Sequence, residues 1–345
     1  MKIMIDAMGG DNAPGAFVEG AFLATKELNT DIVLIGKGEL LLEEMARLGY
    51  DTLPPHVEIA NADDMVDMHD DPATVVKTRK NSSMILGLKM LSEGTVDAFI
   101  SAGNTGALLS GATLLVKRVK GIRRAAFGPT VPTATGHAVI IDAGANSECT
   151  PEFLLQFGCM GSFYAKKALG LAEPRVALLN NGTEDSKGDE LHREAYRLLK
   201  EAGEKGTIRF VGNIEGRQVP MGDADVVVCD GFSGNVFLKT MEGTALFMAG
   251  MLKDIFKANI GSKVGYLLCQ KGVKKLKKTM DYRETGGTML VGISKPVIKA
   301  HGSSDALAVL GAVRQAISVV ESGICDEIRE NVEQMRLPKE LEEHA

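Results

Sequence analysis

The stretch KIMIDAMGGDNAPGAFVEGAFLATKEL, residues 2–28, holds one strand, one loop and one helix in succession. KIMID is apolar without alternation, as a strand covered on both faces is expected to be. GAFVEGAFLATKEL spaces its apolar residues at the helical period. Between them lie Gly9 and Gly10, flanked by Asp6 and Asp11. Glycines between a strand and a helix commonly make room for a ligand, often a phosphate. Aspartates repel phosphate, so the loop poses a conflict. Pro14 fits the first turn of the helix, and Asp11 or Asn12 fits its cap. An aspartate bound to backbone N–H groups repels an anion less, and Asp6 is free to orient a donor. The loop therefore reads as glycines facing a cleft, with at least one aspartate turned to its own backbone.

The same unit recurs along the chain. Further continuous runs are DIVLIG at 31–36, VEIA at 57–60, VDAFIS at 96–101, AVIID at 138–142, RVALL at 175–179, IRFV at 208–211 and DVVVC at 225–229. Helical patterns such as ELHREAYRLLKEAG separate them. Strand and helix in turn predict an α/β fold, a mainly parallel sheet with helices on both faces. TMLVGIS and PVIKAHG read as two more strands, followed by the long helix SSDALAVLGAVRQAISVVE. The rhythm breaks once. Residues 236–279 carry two helical stretches around Asn259–Ile260–Gly261 and no strand, which predicts a projecting helical hairpin. With no repeat and no low-complexity linker, residues 1–345 read as a single domain.

Composition narrows the function. The net charge is −6, tryptophan is absent and aromatics are 5%, so nucleic acid is not an expected partner. No apolar run reaches the roughly 18 residues of a membrane span. The N-terminus reads as a buried strand and lacks the apolar stretch of a signal peptide. Cys149, Cys159, Cys229, Cys269 and Cys325 form no C-x-x-C pair, so reduced thiols and a cytoplasmic location are expected.

The unusual loops follow strands. DAMGGD follows KIMID, SAGNTGA (101–107) follows VDAFI, and DAGANSE (142–148) follows AVII. NNGTEDSKGDE (180–190) follows RVALL, DGFSGN (230–235) follows DVVVC, and HGSSDA (301–306) follows PVIKA. Each alone reads as a turn with a helix cap. Together, on one sheet edge, they predict a shared cleft. The Walker pattern is missing, and GKGELL (36–41) has Leu41 where a dinucleotide fingerprint needs a glycine. DDMVDMHDD (63–71) reads as a solvated acidic loop. No metal and no cofactor are expected. A small anion fits: Asn104 or Ser101 caps the helix starting near Thr105, and Gly103 and Gly106 allow close approach. Ser303 or Ser304 repeats the scheme, with His301 as a ring donor or a packed histidine.

DAMGGD, KNSS (80–83), SAGNTGA, DAGAN, NNGTED, DGFSGN and HGSS, in this order, resemble the bacterial phosphate acyltransferases of phospholipid synthesis, the acyl-ACP:phosphate transacylases. The resemblance spans nearly the whole chain. It implies a fold similar to isocitrate and isopropylmalate dehydrogenases and to phosphotransacetylase. It also implies a reaction in which inorganic phosphate attacks the thioester of a long-chain acyl group on acyl carrier protein, with no covalent acyl-enzyme. The acyl phosphate then feeds a glycerol-3-phosphate acyltransferase. A homodimer and peripheral contact with the inner face of the cell membrane are implied too.

On this reading Ser101, Gly103, Asn104 and Thr105 hold phosphate or the oxyanion, with Gly9, Gly10, Gly106, Ser303 and Ser304 completing the pocket. Lys187, Arg79 and Lys80 are candidate cations or solvated surface residues, with Arg79 and Lys80 also candidate contacts for carrier or membrane. Asp230 orients a donor, accepts a proton or caps a helix. Replacing Asn104 by Ala is expected to lower turnover and leave the fold intact. In the hairpin, Lys263, Lys271 and the KKLKK cluster (Lys274, Lys275, Lys277 and Lys278) suit an acidic carrier or an anionic membrane. The competing readings are an NAD-dependent dehydrogenase, a phosphotransacetylase using acyl-CoA, and a non-catalytic binder of anions or acyl groups.

Overall fold

The computed structural model describes residues 1–279 and 286–337, the side chains of 275–279 excepted. The chain opens as its first residues predict. β1 (Lys2–Asp6) leads to α1 (Gly15–Leu28), then β2 (Asp31–Gly36), α2 (Gly38–Arg47) and β3 (Val57–Asn61). A short turn of helix, α3 (Val75–Thr78), precedes α4 (Ser83–Glu93), β4 (Ala98–Ser101) and α5 (Thr105–Gly111). Next come β5 (Ala126–Gly128), β6 (Thr130–Thr133), β7 (Gly136–Ile141) and α6 (Pro151–Ala168). β8 (Arg175–Asn180), α7 (Glu190–Glu204), β9 (Arg209–Glu215) and β10 (Val226–Val228) follow. Two long helices, α8 (Gly231–Lys257) and α9 (Ile260–Thr279), lead to β11 (Thr288–Val291), β12 (Val297–Lys299), α10 (Ala306–Ser322) and α11 (Ile324–Glu330).

The fold is α/β with mostly parallel strands, as the alternation predicts, but the strands divide into two sheets. One has the order β3-β2-β1-β4-β12-β11-β5, the other β6-β7-β10-β8-β9. The chain passes between them at Pro129, from β5 into β6. Sequence reasoning misses β5 and β6. Each is only three or four residues long, and Pro132 lies on β6, an edge strand where a missing N–H is tolerated. These strands also supply antiparallel pairs, β6 on β7 and β5 on β11, and β11 is antiparallel to β12.

α10 packs on α1 so closely that a Cβ at Gly20 would meet Val309 at 2.5 Å. Val309, Ala312, Val313 and Ala316 of α10 are fully buried. Each large apolar side chain so buried contributes about 1.5–3 kcal/mol. Among the described residues, Ala306–Glu330 is the one helical stretch long and apolar enough to cross a membrane. Its burial marks it as a core helix. The hairpin is of another kind. Phe256 of α8 meets Tyr266 of α9 edge to face, yet Leu246, Phe247, Ile255, Ile260, Leu267 and Leu268 stand exposed. α8 begins at Gly231, five residues before the predicted start, because Asp230 caps it directly off the end of β10.

Candidate active site

The carboxyl ends of β4 and β12 in one sheet face those of β7 and β10 in the other across a cleft of about 900 Å³. Its walls are apolar on two sides. Phe127, Pro129 and Val131 come from β5, β6 and the turn between them. Opposite them, α8 presents Phe237, Met241, Ala245 and Met248, one stripe at three- and four-residue spacing. One end of the cleft is polar, with Thr105, Asn235, Lys239 and its partner Glu242, Lys299 and His301.

Behind that end lies a buried network that starts at the carboxylate ending β1. Asp6 is fully buried. The Ser83 hydroxyl donates to its Oδ1 at 2.7 Å, and the Ser101 hydroxyl donates to its Oδ2 at 2.7 Å. The Met8 N–H adds a third bond at 3.2 Å. Burial pushes the Asp6 carboxyl above its ordinary range, and the two hydroxyls pull it back. Asp6 therefore orients donors, as the reading of its loop proposes. Ser101 in turn accepts the Gly103 N–H at 3.1 Å. Lys299, at the end of β12, pairs in register with Ser101. Its Nζ donates to the carbonyls of Ala102 (3.1 Å) and Ala300 (2.6 Å). Burial lowers its pKa to about 8.

The SAGNTGA loop is tightly used. Asn104 is buried and caps α5, its Oδ1 accepting the Ala107 N–H at 3.0 Å. Its Nδ2 donates to the carbonyls of Asp67, Met68 and Asp70. The amide thus ties the acidic 63–71 loop to the cleft edge. Arg79 closes the same loop through Asp64 and Asp70, and no described group of carboxylates, histidines or cysteines there could hold a metal. Lys80 is exposed. Gly103 packs under Met84 and Gly106 against Pro72. Gly9 packs on Gly103 so closely that a Cβ would sit 2.6 Å from its nitrogen. Gly10 holds φ at +109°, and its neighbour Asp11 donates its N–H to the Gly302 carbonyl at 2.8 Å. The DAMGGD and HGSS loops are therefore docked together. Asn104→Ala removes both a cap and three loop bonds. We expect it to lower stability by about 1–2 kcal/mol, seen in thermal melting, as well as turnover.

In the HGSS loop, His301 Nδ1 lies 2.8 Å from Ser303 Oγ, and Ser304 is buried with its hydroxyl donating to the His301 carbonyl. Burial, reinforced by Lys239, lowers the His301 pKa from its ordinary value. Across the cleft, Asp230 caps α8 through the N–H groups of Phe232 and Ser233, both 2.9 Å. Asp142 is fully buried and accepts from Phe127, Ala145 and Asn146. A Cβ at Gly234 would lie 1.9 Å from the Asp142 carbonyl oxygen. The DAGAN and DGFSGN loops meet at that point, which places Asn235 and Lys239 in the cleft.

The structure thus brings Thr105 and His301 to the cleft, with Ser101, Asn104 and Ser304 directly behind its edge. It does not bring Lys187 there. Lys187 is exposed beside Glu184 in the loop after β8 and is not a lining residue. Lys271 and Lys274 are exposed on α9, far along the hairpin in sequence. The side chains of Lys275, Lys277 and Lys278 lie outside the described residues. Sequence reasoning missed Lys299, Lys239 and Asp142. A signal existed for Lys299: a lysine ending the apolar run PVIK, on the edge where the polar loops gather. In GKGELL, Leu41 is a buried core side chain, in the place where a dinucleotide site needs a glycine.

Comparison with known proteins decides the family. A family model described as "Fatty acid synthesis protein" matches residues 1–327. The phosphate acyltransferase of Alkaliphilus oremlandii is 47% identical over 332 residues, covering 96% of this chain and 97% of that protein. That of Caldanaerobacter subterraneus is 44% identical, covering 96% and 98%. The chain belongs to the phosphate acyltransferase family. It is an acyltransferase of lipid synthesis. Solved structures with the same fold include a phosphotransacetylase from Streptococcus pyogenes (TM-score 0.62, 18% identity, 93% of this chain and 94% of that one). A 4-hydroxythreonine-4-phosphate dehydrogenase from Klebsiella pneumoniae is also similar (TM-score 0.55, 14% identity, 92% and 99%). The fold is therefore shared by phosphotransacetylases and dehydrogenases, as the family resemblance implies.

Proposed function

We propose that this acyltransferase moves a long-chain acyl group from acyl carrier protein to inorganic phosphate, and that its acyl phosphate serves glycerol-3-phosphate acylation. One observation carries the reading: one cleft has a polar end that holds Lys299 and a long apolar wall. Phosphate suits the first and a fatty chain the second. Phosphate is itself the nucleophile. Its oxygen attacks the thioester carbonyl carbon, the C–O bond forms, the C–S bond breaks, and the phosphate proton leaves with the carrier thiol. Catalysis is then chiefly positioning and stabilisation of the oxyanion. The thiol, with a pKa of roughly 8.5, needs little help to leave. Thr105 and His301 contact the reacting groups, while Ser101, Asn104, Ser304 and the packed glycines hold the loops. Asp230 sets the start of α8.

The exposed apolar side chains of the hairpin, beside Lys263, Lys271 and Lys274, support a homodimer and peripheral contact with an anionic membrane surface. The lysines also suit an acidic carrier. The likeness to phosphotransacetylases favours one second reading, in which the donor is an acyl-CoA. Parallel assays with palmitoyl groups on carrier and on coenzyme A separate the two. A higher kcat/KM for the carrier thioester supports our reading, and a higher value for the CoA thioester contradicts it.

A further inference from the structure

We infer that the Lys299 ammonium is the charge that binds the attacking phosphate, held ready by the carbonyls of Ala102 and Ala300. This rests on the reading that phosphate is the acceptor. An ammonium has three N–H donors. Two of them are engaged, at 3.1 and 2.6 Å, by carbonyls at the ends of adjacent strands. Among the described residues no carboxylate lies within ion-pair distance of Nζ. Asp6 is the buried carboxylate whose charge favours protonated Lys299, but its two oxygens accept from Ser83 and Ser101. A part-buried cation without a bonded counter-ion among the described residues is costly. Lys299 also lines the cleft, so an anion entering there completes its coordination.

The surrounding charges agree with this role. Lys239 of α8 faces the same region and is paired with Glu242 at 2.7 Å. It opposes protonation of Lys299, whereas Asp6 and Asp11 favour it. Burial disfavours the charged form of His301 beside Lys299. A bound phosphate supplies what none of these does, a full negative charge in contact with Nζ. Asp6 is then a positioning residue: it anchors Ser101, whose strand neighbours Lys299.

The test uses the full-length enzyme with Lys299→Met and Lys299→Arg. Initial rates of thiol release give KM for phosphate and for the acyl donor, and calorimetry gives binding of inorganic phosphate alone. We expect Lys299→Met to raise the phosphate KM and Kd about 10- to 100-fold, with the donor KM unchanged. Lys299→Arg keeps a charge and falls between. Because the Lys299 pKa is lowered to about 8, the parent's kcat/KM for phosphate should fall above that pH, and this limb should vanish in Lys299→Arg. An unchanged phosphate KM and Kd in Lys299→Met, whatever happens to kcat, overturns the inference. If Lys299→Met fails to fold, by circular dichroism, the pH limb of Lys299→Arg decides: its persistence overturns the inference. A parent that binds phosphate through Lys299 but forms no acyl phosphate contradicts the proposed function and not this assignment.

Discussion

Gly234→Ala is expected to be among the most disruptive single-methyl additions in the molecule. The new Cβ would lie 1.9 Å from the Asp142 carbonyl oxygen and 2.7 Å from the Cys229 sulfur. Neither neighbour is the loose end of a flexible side chain. Cys229 is fully buried, and the loop after β7 is fixed by the bonds Asp142 accepts. The first turn of α8 must therefore move away from β7. Overpacking of this kind costs about 1–3 kcal/mol, which a thermal melt reads as a drop of several degrees. Turnover should fall further than stability, because Asn235 and Lys239 lie one and five residues beyond Gly234. A variant with parental melting temperature and rate would show that the two loops are not the rigid hinge of the cleft.

The second large effect concerns the acyl chain. Ala245 lies on the stripe of α8 that faces Val131 across the cleft, between Met241 and Met248. Ala245→Trp fills that space and should cut off the far end of a long chain. Each methylene excluded from an apolar wall loses about 0.8 kcal/mol, about fourfold in affinity. Blocking four methylenes should lower kcat/KM for long-chain donors about 100-fold or more, with short-chain donors little affected. The measurement is a chain-length series at saturating phosphate. Equal losses at every length would mean that the chain runs elsewhere.

How much of this was legible depends on what each feature requires of the sequence. The long buried strands were readable because both faces are covered, so KIMID, DIVLIG and RVALL need no alternation. The split into two sheets was not, because it turns on β5 and β6, which have three or four residues each and no period, with Pro132 on β6 and Pro129 between them. The loops that build the cleft were readable from their glycines and caps. Their division of labour was not. Asn104 and Asp230 each allow a cap or a ligand contact in sequence, and in the fold their amide or carboxyl oxygens go to backbone N–H groups as caps. Lys299 looks like the end of a strand, yet it is a part-buried cation that lines the cleft. A side chain's partners are set by tertiary approach, which local spacing does not report. Gly9 shows this well: its role is contact with Gly103, ninety-four residues away.

The central claim is that the cleft joins phosphate to an acyl group taken from a thioester. The most direct measurement mixes enzyme with palmitoyl-acyl carrier protein, follows free thiol with and without inorganic phosphate, and traps the product with hydroxylamine. The account predicts thiol release that needs phosphate and one acyl hydroxamate per thiol. Thiol release at the same rate without phosphate, or with no hydroxamate formed, would contradict it.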